Sequence, residues 1–241
     1  EAVEEDDTDN ENFDLNGLDR WRLDNELIQE GVVKAASEEE LHERLEATLD
    51  RMARRGDLGM GVTEHRLRTE LAGRLPDLFQ RYRGALTEWP EAVAEPLPFE
   101  CRYSDSTGAV EVVDLIDNLR CNPSGQLCRL VIANAGLLTG SGYSKKVRYA
   151  NLLRDWLIHL AGQLSGQPFE TLILGKEEGR KFHFPLMAPE QAQKHFEAIL
   201  GRWMEATTRT LPIHCEAGFA WITSFYGGKK HVGDHERAIS E

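Results

Sequence analysis

The chain has 241 residues, 41% of them hydrophobic, and a formal net charge of −13 at pH 7. That apolar content can fill a core in one large domain or two small ones. No apolar run approaches the roughly 20 residues that cross a bilayer, and no basic, apolar, small-residue leader opens the chain, so a globular cytoplasmic protein with no membrane partner is expected.

Residues 1–12 are predicted to be an acidic flexible tail. Glu1, Glu4, Glu5, Asp6, Asp7, Asp9 and Glu11 repel one another with no base among them, and such a segment does not pack. Because it starts on Glu1 rather than Met, the chain is expected to be a piece of something longer. The remainder is still acidic, which does not favour a strong unaided grip on a phosphate backbone.

Residues 13–95 are predicted to be helical. Leu18, Trp21, Leu27 and Ile28 punctuate a charged helix over Leu15–Ile28, with Gly31 as its expected end. Ser37 followed three residues later by Glu40 is a capping-box pattern. Leu41, Leu45, Leu49 and Met52 then form an apolar stripe, Arg51, Arg54 and Arg55 suit the helix C-terminus, and Gly56 terminates it. Thr63 is the expected cap of a further helix that Pro76 either kinks or divides in two.

Residues 96–225 are predicted to hold a sheet flanked by helices, an α/β (α+β) arrangement. Strands are expected at Phe99–Tyr103 and Val110–Arg120, separated by the turn sequence Ser104–Gly108. Asn122-Pro123-Ser124-Gly125 makes a hairpin with a strand through Leu127, Leu130, Val131 and Ile132. An amphipathic helix follows, with Tyr149, Ala150, Leu153, Trp156, Leu157, Leu160, Ala161 and Leu164 on its packing face and Arg148, Arg154, Asp155 and Gln163 elsewhere. Strands at Phe169–Leu174 and Arg180–Phe184 precede a helix near Pro189 with apolar Ala192, Phe196, Ile199, Leu200, Trp203 and Met204. Leu211–Ile213 is a possible last strand, Ala217–Phe225 a short helix, and residues 226–241 a truncated or disordered segment.

The chemistry-bearing residues exclude more than they assign. Cys101, Cys121, Cys128 and Cys215 have no CxxC spacing. Cys121 and Cys128 flank the hairpin turn, where buried free thiols are favoured over a disulfide. No GxGxxG or GxxxxGK[ST] run occurs. Gly136–Gly142 is the nearest approach and fits a flexible connector better than an anion cradle. His231 and His235 stand four apart without a third ligand. His159 suits a core or surface position, and His214-Cys215 lacks an acid partner for nucleophilic chemistry. No metal or cofactor is expected.

The order helix, hairpin, strand, helix, strand resembles the PD-(D/E)XK nuclease core. In that core an Asp on the second strand and a D/E-x-K triplet on the third hold the catalytic metal. Asp114 or Asp117 could supply the first acid, but the third strand reads Cys128-Arg129-Leu130-Val131-Ile132-Ala133-Asn134. Without carboxylate oxygens and a lysine, that strand cannot bind a divalent ion and activate water.

Residues Trp156, Leu157, His159, Leu160, Phe184, Pro185, Ala188, Glu190, Gln191, Ala192, Glu216, Gly218, Ala220 and Trp221 match, in order, motifs of one family. The chain resembles the C-terminal region of the exodeoxyribonuclease V gamma subunit, the RecC chain of the RecBCD helicase-nuclease. FDLNGLDRWRLDNELI and RRGDLGMG extend the likeness across most of residues 13–225, most thinly around the hairpin. The resemblance implies a nuclease-like fold without nuclease residues, in a noncatalytic scaffolding domain. Its expected partners are RecB-type and RecD-type motor and nuclease subunits, and duplex or forked DNA. It carries no recognition of the recombination signal, which belongs to a preceding part of the family's chain.

Charge alone selects Lys145, Lys146, Arg148 and Arg154, around the start of the central helix, as candidate nucleic-acid-binding residues. A solvated basic face explains them as well. Arg20, Arg22, Arg51, Arg54 and Arg55 fit helix faces and ends. The alternatives are an active metal-dependent nuclease, which would need Asp114 or Asp117, and a self-contained helical regulator.

Overall fold

The computed structural model describes residues 15–106, 108–139, 146–176, 180–211, 214, 215, 217–219 and 222. The acidic tail, Lys145, the His231/His235 pair and residues 226–241 lie outside the described residues. The chain divides into two units, Glu1–Arg83 and Gly84–Glu241.

In the first unit, Asn16 caps α1 (Gly17–Leu27), its side chain accepting from the Leu18 and Asp19 amides at 3.0 and 2.9 Å. The helix buries Leu23 and Leu27 and leaves Leu18 and Trp21 exposed. Gly31 does not end it. The chain continues through a π-helical turn, Ile28–Val32, and Gly31 is buried where a Cβ would come within 2.6 Å of Leu45. The glycine is there for close approach to a neighbouring helix, not for termination.

That neighbour is α2 (Glu38–Arg54), which buries the predicted stripe Leu41, Leu45, Leu49 and Met52 together with Thr48. Ser37 Oγ accepts from the Glu40 amide at 3.2 Å, and the Glu40 carboxylate reaches back to the Ala36 amide at 2.8 Å. This is a capping box displaced by one residue. Gly56 takes φ +81° just past the C-cap. Gly61, not Thr63, precedes α3 (Val62–Ala72), and Thr63 lies inside the helix. At Pro76 there are two helices rather than one bent one: α4 (Leu75–Glu88) begins one residue before the proline, where its missing amide costs no helical bond. Arg20 pairs with Glu70, Arg22 with Asp57 and Arg55 with Glu26, which confirms these arginines as helix-face and helix-end charges.

The second unit is an α+β structure. Two strands, β2 (Leu97–Asp105) and β3 (Gly108–Ile116), form an antiparallel ribbon. The main sheet is mixed, in the order β1-β4-β5-β8-β9, with β1 at Glu91–Ala92, β4 at Leu119–Cys121, β5 at Leu127–Ala133, β8 at Phe169–Gly175 and β9 at Lys181–Phe184. The hairpin β4–β5 and the β8–β9 pair are antiparallel, and β5 and β8 run parallel from Leu127↔Phe169 to Ala133↔Gly175. Between β5 and β8 the chain makes a small hairpin, β6 (Leu138–Thr139) with β7 (Lys146–Val147), then a 3-10 turn, Tyr149–Leu152, and α5 (Leu153–Leu164). The long α6 (Pro189–Thr208) follows β9 and starts on its proline.

The single strand expected over Val110–Arg120 is in fact β3 and β4, belonging to two different sheets. Asn118 takes φ +59°, and Asp117 accepts a bond from its side chain at 3.0 Å. An Asp-Asn pair can hold this left-handed bend, and a continuous strand cannot. At the β4–β5 turn the prediction holds. Asn122 Oδ1 accepts from the Ser124 and Gln126 amides at 3.1 and 2.9 Å, and Gly125 supplies φ +82°.

One core gathers Phe99, Ile116, Leu119, Leu160, Phe169 and Phe196, joining the ribbon, the sheet, α5 and α6. A second gathers Leu137, Leu152, Ile173 and Phe184. Trp203, expected on the apolar side of α6, is 55% exposed. Leu211 is not in a strand, and Pro212 and Ile213 lie outside the described residues. Residues 217–219 and 222 are helical, as expected. No helix among the described residues is long and apolar enough to cross a membrane.

Candidate nucleic-acid interface

Lys146 closes the β6–β7 hairpin opposite Thr139, and the Arg148 amide donates to the Leu137 carbonyl at 2.9 Å. Asn151 Nδ2 donates to the Gly136 carbonyl at 2.7 Å. Gly136–Thr139 is therefore tied to the start of the helix, in contrast to the flexible connector expected there; the rest of the glycine-bearing run lies outside the described residues. Lys146 on β7, Arg148 just before the 3-10 turn and Arg154 in the first turn of α5 are all exposed. The acid beside Arg154, Asp155, is engaged by Arg129 at 2.7 Å.

The packing face of α5 differs from the apolar stripe expected from its sequence. Leu153 and Leu157 are 39% and 36% exposed, while His159 and Gln163 are buried. Asp155, His159 and Gln163 are spaced four apart and form a polar seam against the sheet. Arg129, on β5, meets Asp155 at 2.7 Å. His159 Nδ1 lies 3.0 Å from Thr171 Oγ1, and the register places Thr171 opposite Arg129. Gln163 Nε2 donates to the Phe169 carbonyl at 2.7 Å, and its Oε1 accepts from the Met187 amide at 3.1 Å. Gly162 lets the helix sit directly on the Phe169 ring, which a Cβ would overlap. The signal was present as a polar i, i+4, i+8 series, but hydrophobic periodicity points elsewhere on the wheel.

Burial sets the titration here. His159 is fully buried between the Trp156, Phe169 and Phe184 rings, which pushes its pKa down to about 4, although the Pro185 carbonyl acts in the opposite direction. Burial pushes the Cys128 thiol up to about 12. All four cysteines are free, as the sequence predicts.

Arg129 is held by Asp155, and Cys128 and Leu130 are buried. Asp114 lies on the exposed ribbon, its carboxylate accepting from the adjacent Leu115 amide, and Asp117 is engaged by Asn118. Among the described residues no three His, Cys, Asp or Glu side chains gather as a metal-binding group. His214 has no carboxylate partner among the described residues; its Nδ1 accepts from the Ala217 amide at 3.3 Å.

The family model for the RecC C-terminal domain matches residues 1–226. The chain belongs to the RecC C-terminal domain family. It is therefore part of the exodeoxyribonuclease V gamma subunit, a component of the RecBCD complex with a role in DNA repair. No match to the chain was found among curated proteins. The exposed basic group at the start of α5 and the polar seam beneath it are thus features of a RecC C-terminal domain.

Proposed function

We propose that this RecC domain is a noncatalytic DNA-handling and scaffolding module of a helicase-nuclease that processes double-strand breaks for recombinational repair. In this reading it docks a RecD-type motor near the duplex fork and works beside the RecB-type motor and nuclease subunit. ATP hydrolysis, unwinding and strand cleavage belong to those partners. Lys145, Lys146, Arg148 and Arg154 contact the DNA backbone.

The observation that carries this reading is the condition of β5. Where a nuclease-like core would present an acid and a lysine, this strand presents Arg129, buried and paired with an acid on the crossover helix. A guanidinium there repels a divalent ion, and its partner carboxylate is already engaged. Asp114 and Asp117 are exposed, and among the described residues neither belongs to a group of three His, Cys, Asp or Glu side chains that could hold a metal.

Purified chain incubated with linear duplex DNA and magnesium, alone and after assembly with the RecB-type and RecD-type subunits, tests the reading. The expected result is capture of the RecD-type subunit and no cleavage by the isolated chain. Cleavage that disappears in Asp114→Asn or Asp117→Asn would establish the active-nuclease alternative instead.

A further inference from the structure

The β2–β3 ribbon has two unlike faces. Directly opposite residues of an antiparallel pair point the same way. One face carries Leu97, Phe99, Cys101 and Tyr103 with Ile116, Val112 and Val110, and packs into the core. The other carries the pairs Pro98↔Leu115, Glu100↔Val113, Arg102↔Glu111 and Ser104↔Ala109, all exposed.

That outer face is not an ordinary solvated one. Val113 is 71% exposed and Leu115 64%, two apolar residues side by side on one strand with Pro98 across from them. Water facing this much apolar surface is unfavourable, and a patch with a polar rim marks a contact surface. The rim is acidic: Glu100 and Glu111 stand on the face itself, and Asp117 is exposed just past the end of the strand. Arg102 is the one cation on this face among the described residues. Both strands are nine residues long, and neither has a second neighbour among the described residues. Long strands with open edges present unpaired amides and carbonyls to whatever extended chain approaches.

We infer that the outer face and open edge of the ribbon dock an extended, basic segment of a partner subunit. Its apolar residues cover Val113 and Leu115, and its Lys or Arg residues answer Glu100 and Glu111. Backbone hydrogen bonds to the ribbon edge supply affinity, and side chains alternating along the added strand supply selection. The acidic rim selects against DNA, whose phosphates it repels, so this surface is separate in kind from the basic group at the start of α5. The inference rests on the reading of the chain as a docking domain and assigns part of that docking to the ribbon.

Hydrogen exchange of the Ala109–Leu115 amides, measured in the chain alone and in its assembly with purified RecB-type and RecD-type subunits, tests the inference. Slowing of roughly tenfold or more on assembly is expected. Capture of the subunits should weaken by roughly tenfold in Val113→Lys/Leu115→Lys and in Glu100→Gln/Glu111→Gln, with the urea midpoint little changed because all four side chains are exposed. If a variant fails to fold, exchange in the unsubstituted chain still decides. Assembly that leaves these amides unprotected and the variants fully competent overturns the ribbon assignment while leaving the docking function standing. Failure of the unsubstituted chain to capture any subunit removes both. Protection by duplex DNA alone, or self-association of the chain that Val113→Lys abolishes, would also overturn the assignment.

Discussion

Arg129 on β5 and Asp155 on α5 meet at 2.7 Å with both side chains almost out of water, and this pair joins the crossover helix to the strand that a nuclease-like core would use for catalysis. Removing one partner leaves an uncompensated charge in the interior. Arg129→Ala or Asp155→Ala should each lower the unfolding free energy by about 3 kcal/mol or more, whereas Arg129→Met/Asp155→Leu should recover most of that loss. Urea unfolding of the three variants measures this. Equal losses in the single and double variants would mean that the pair contributes only through packing.

His159 makes stability depend on pH. Its imidazole titrates at about 4 in the folded chain against an ordinary 6.5, so between those values the unfolded chain binds a proton that the folded chain does not. Its contribution to stability is therefore greatest above pH 6.5 and falls as the pH is lowered toward 4, by about 3 kcal/mol across the window. His159→Gln, which can keep a bond to Thr171, should show a smaller loss than wild type between pH 7 and 4.5. Parallel urea midpoints for the two proteins would refute the assignment.

Gly162 should not tolerate a side chain. A methyl group there overlaps the Phe169 ring, which is itself fully buried. Gly162→Ala is expected to cost about 2 kcal/mol or more through overpacking. Adding Phe169→Leu should return part of it, and non-additivity in a double-mutant cycle is the measurement.

The basic group at the start of α5 predicts a salt dependence. In the assembled complex, replacing Lys146, Arg148 and Arg154 with Ala should weaken binding to duplex ends at low salt. The slope of log affinity against log salt should flatten by roughly 2 to 3, about 0.9 for each phosphate that is no longer neutralised. An unchanged slope would reduce these residues to a solvated surface.

The Ser37 box is a smaller test of the first unit. Ser37→Ala removes the acceptor for the Glu40 amide and should cost about 1 kcal/mol, read as a lower thermal midpoint.

Much of this architecture can be read from the sequence because it rests on local chemistry. The Ser37 cap, the α2 stripe, the Asn122–Gln126 turn and the proline start of α6 each depend on residues close together in the chain. Sequence and structure part where distant neighbours decide. Gly31 looks like a terminator until Leu45 is placed against it. The face of α5 departs from its apolar periodicity because its buried side includes Asp155, His159 and Gln163, whose partners Arg129, Thr171, Phe169 and Met187 come from elsewhere in the chain. The split between β3 and β4 turns on one backbone angle at Asn118. Of the candidate site, the empty third strand is visible in its letters, but the engagement of its one charged residue is not.

The parallel pairing of β5 with β8 also governs when the second unit can form. Leu127 pairs with Cys121 on one side, but its other side has nothing to align with until Phe169 has been synthesised and the intervening helix has swung across. The β4–β5 hairpin can close early on the ribosome, but the sheet must wait for most of the domain to emerge. Slow, late consolidation of this sheet is then a property of its topology and not of any weak link within it.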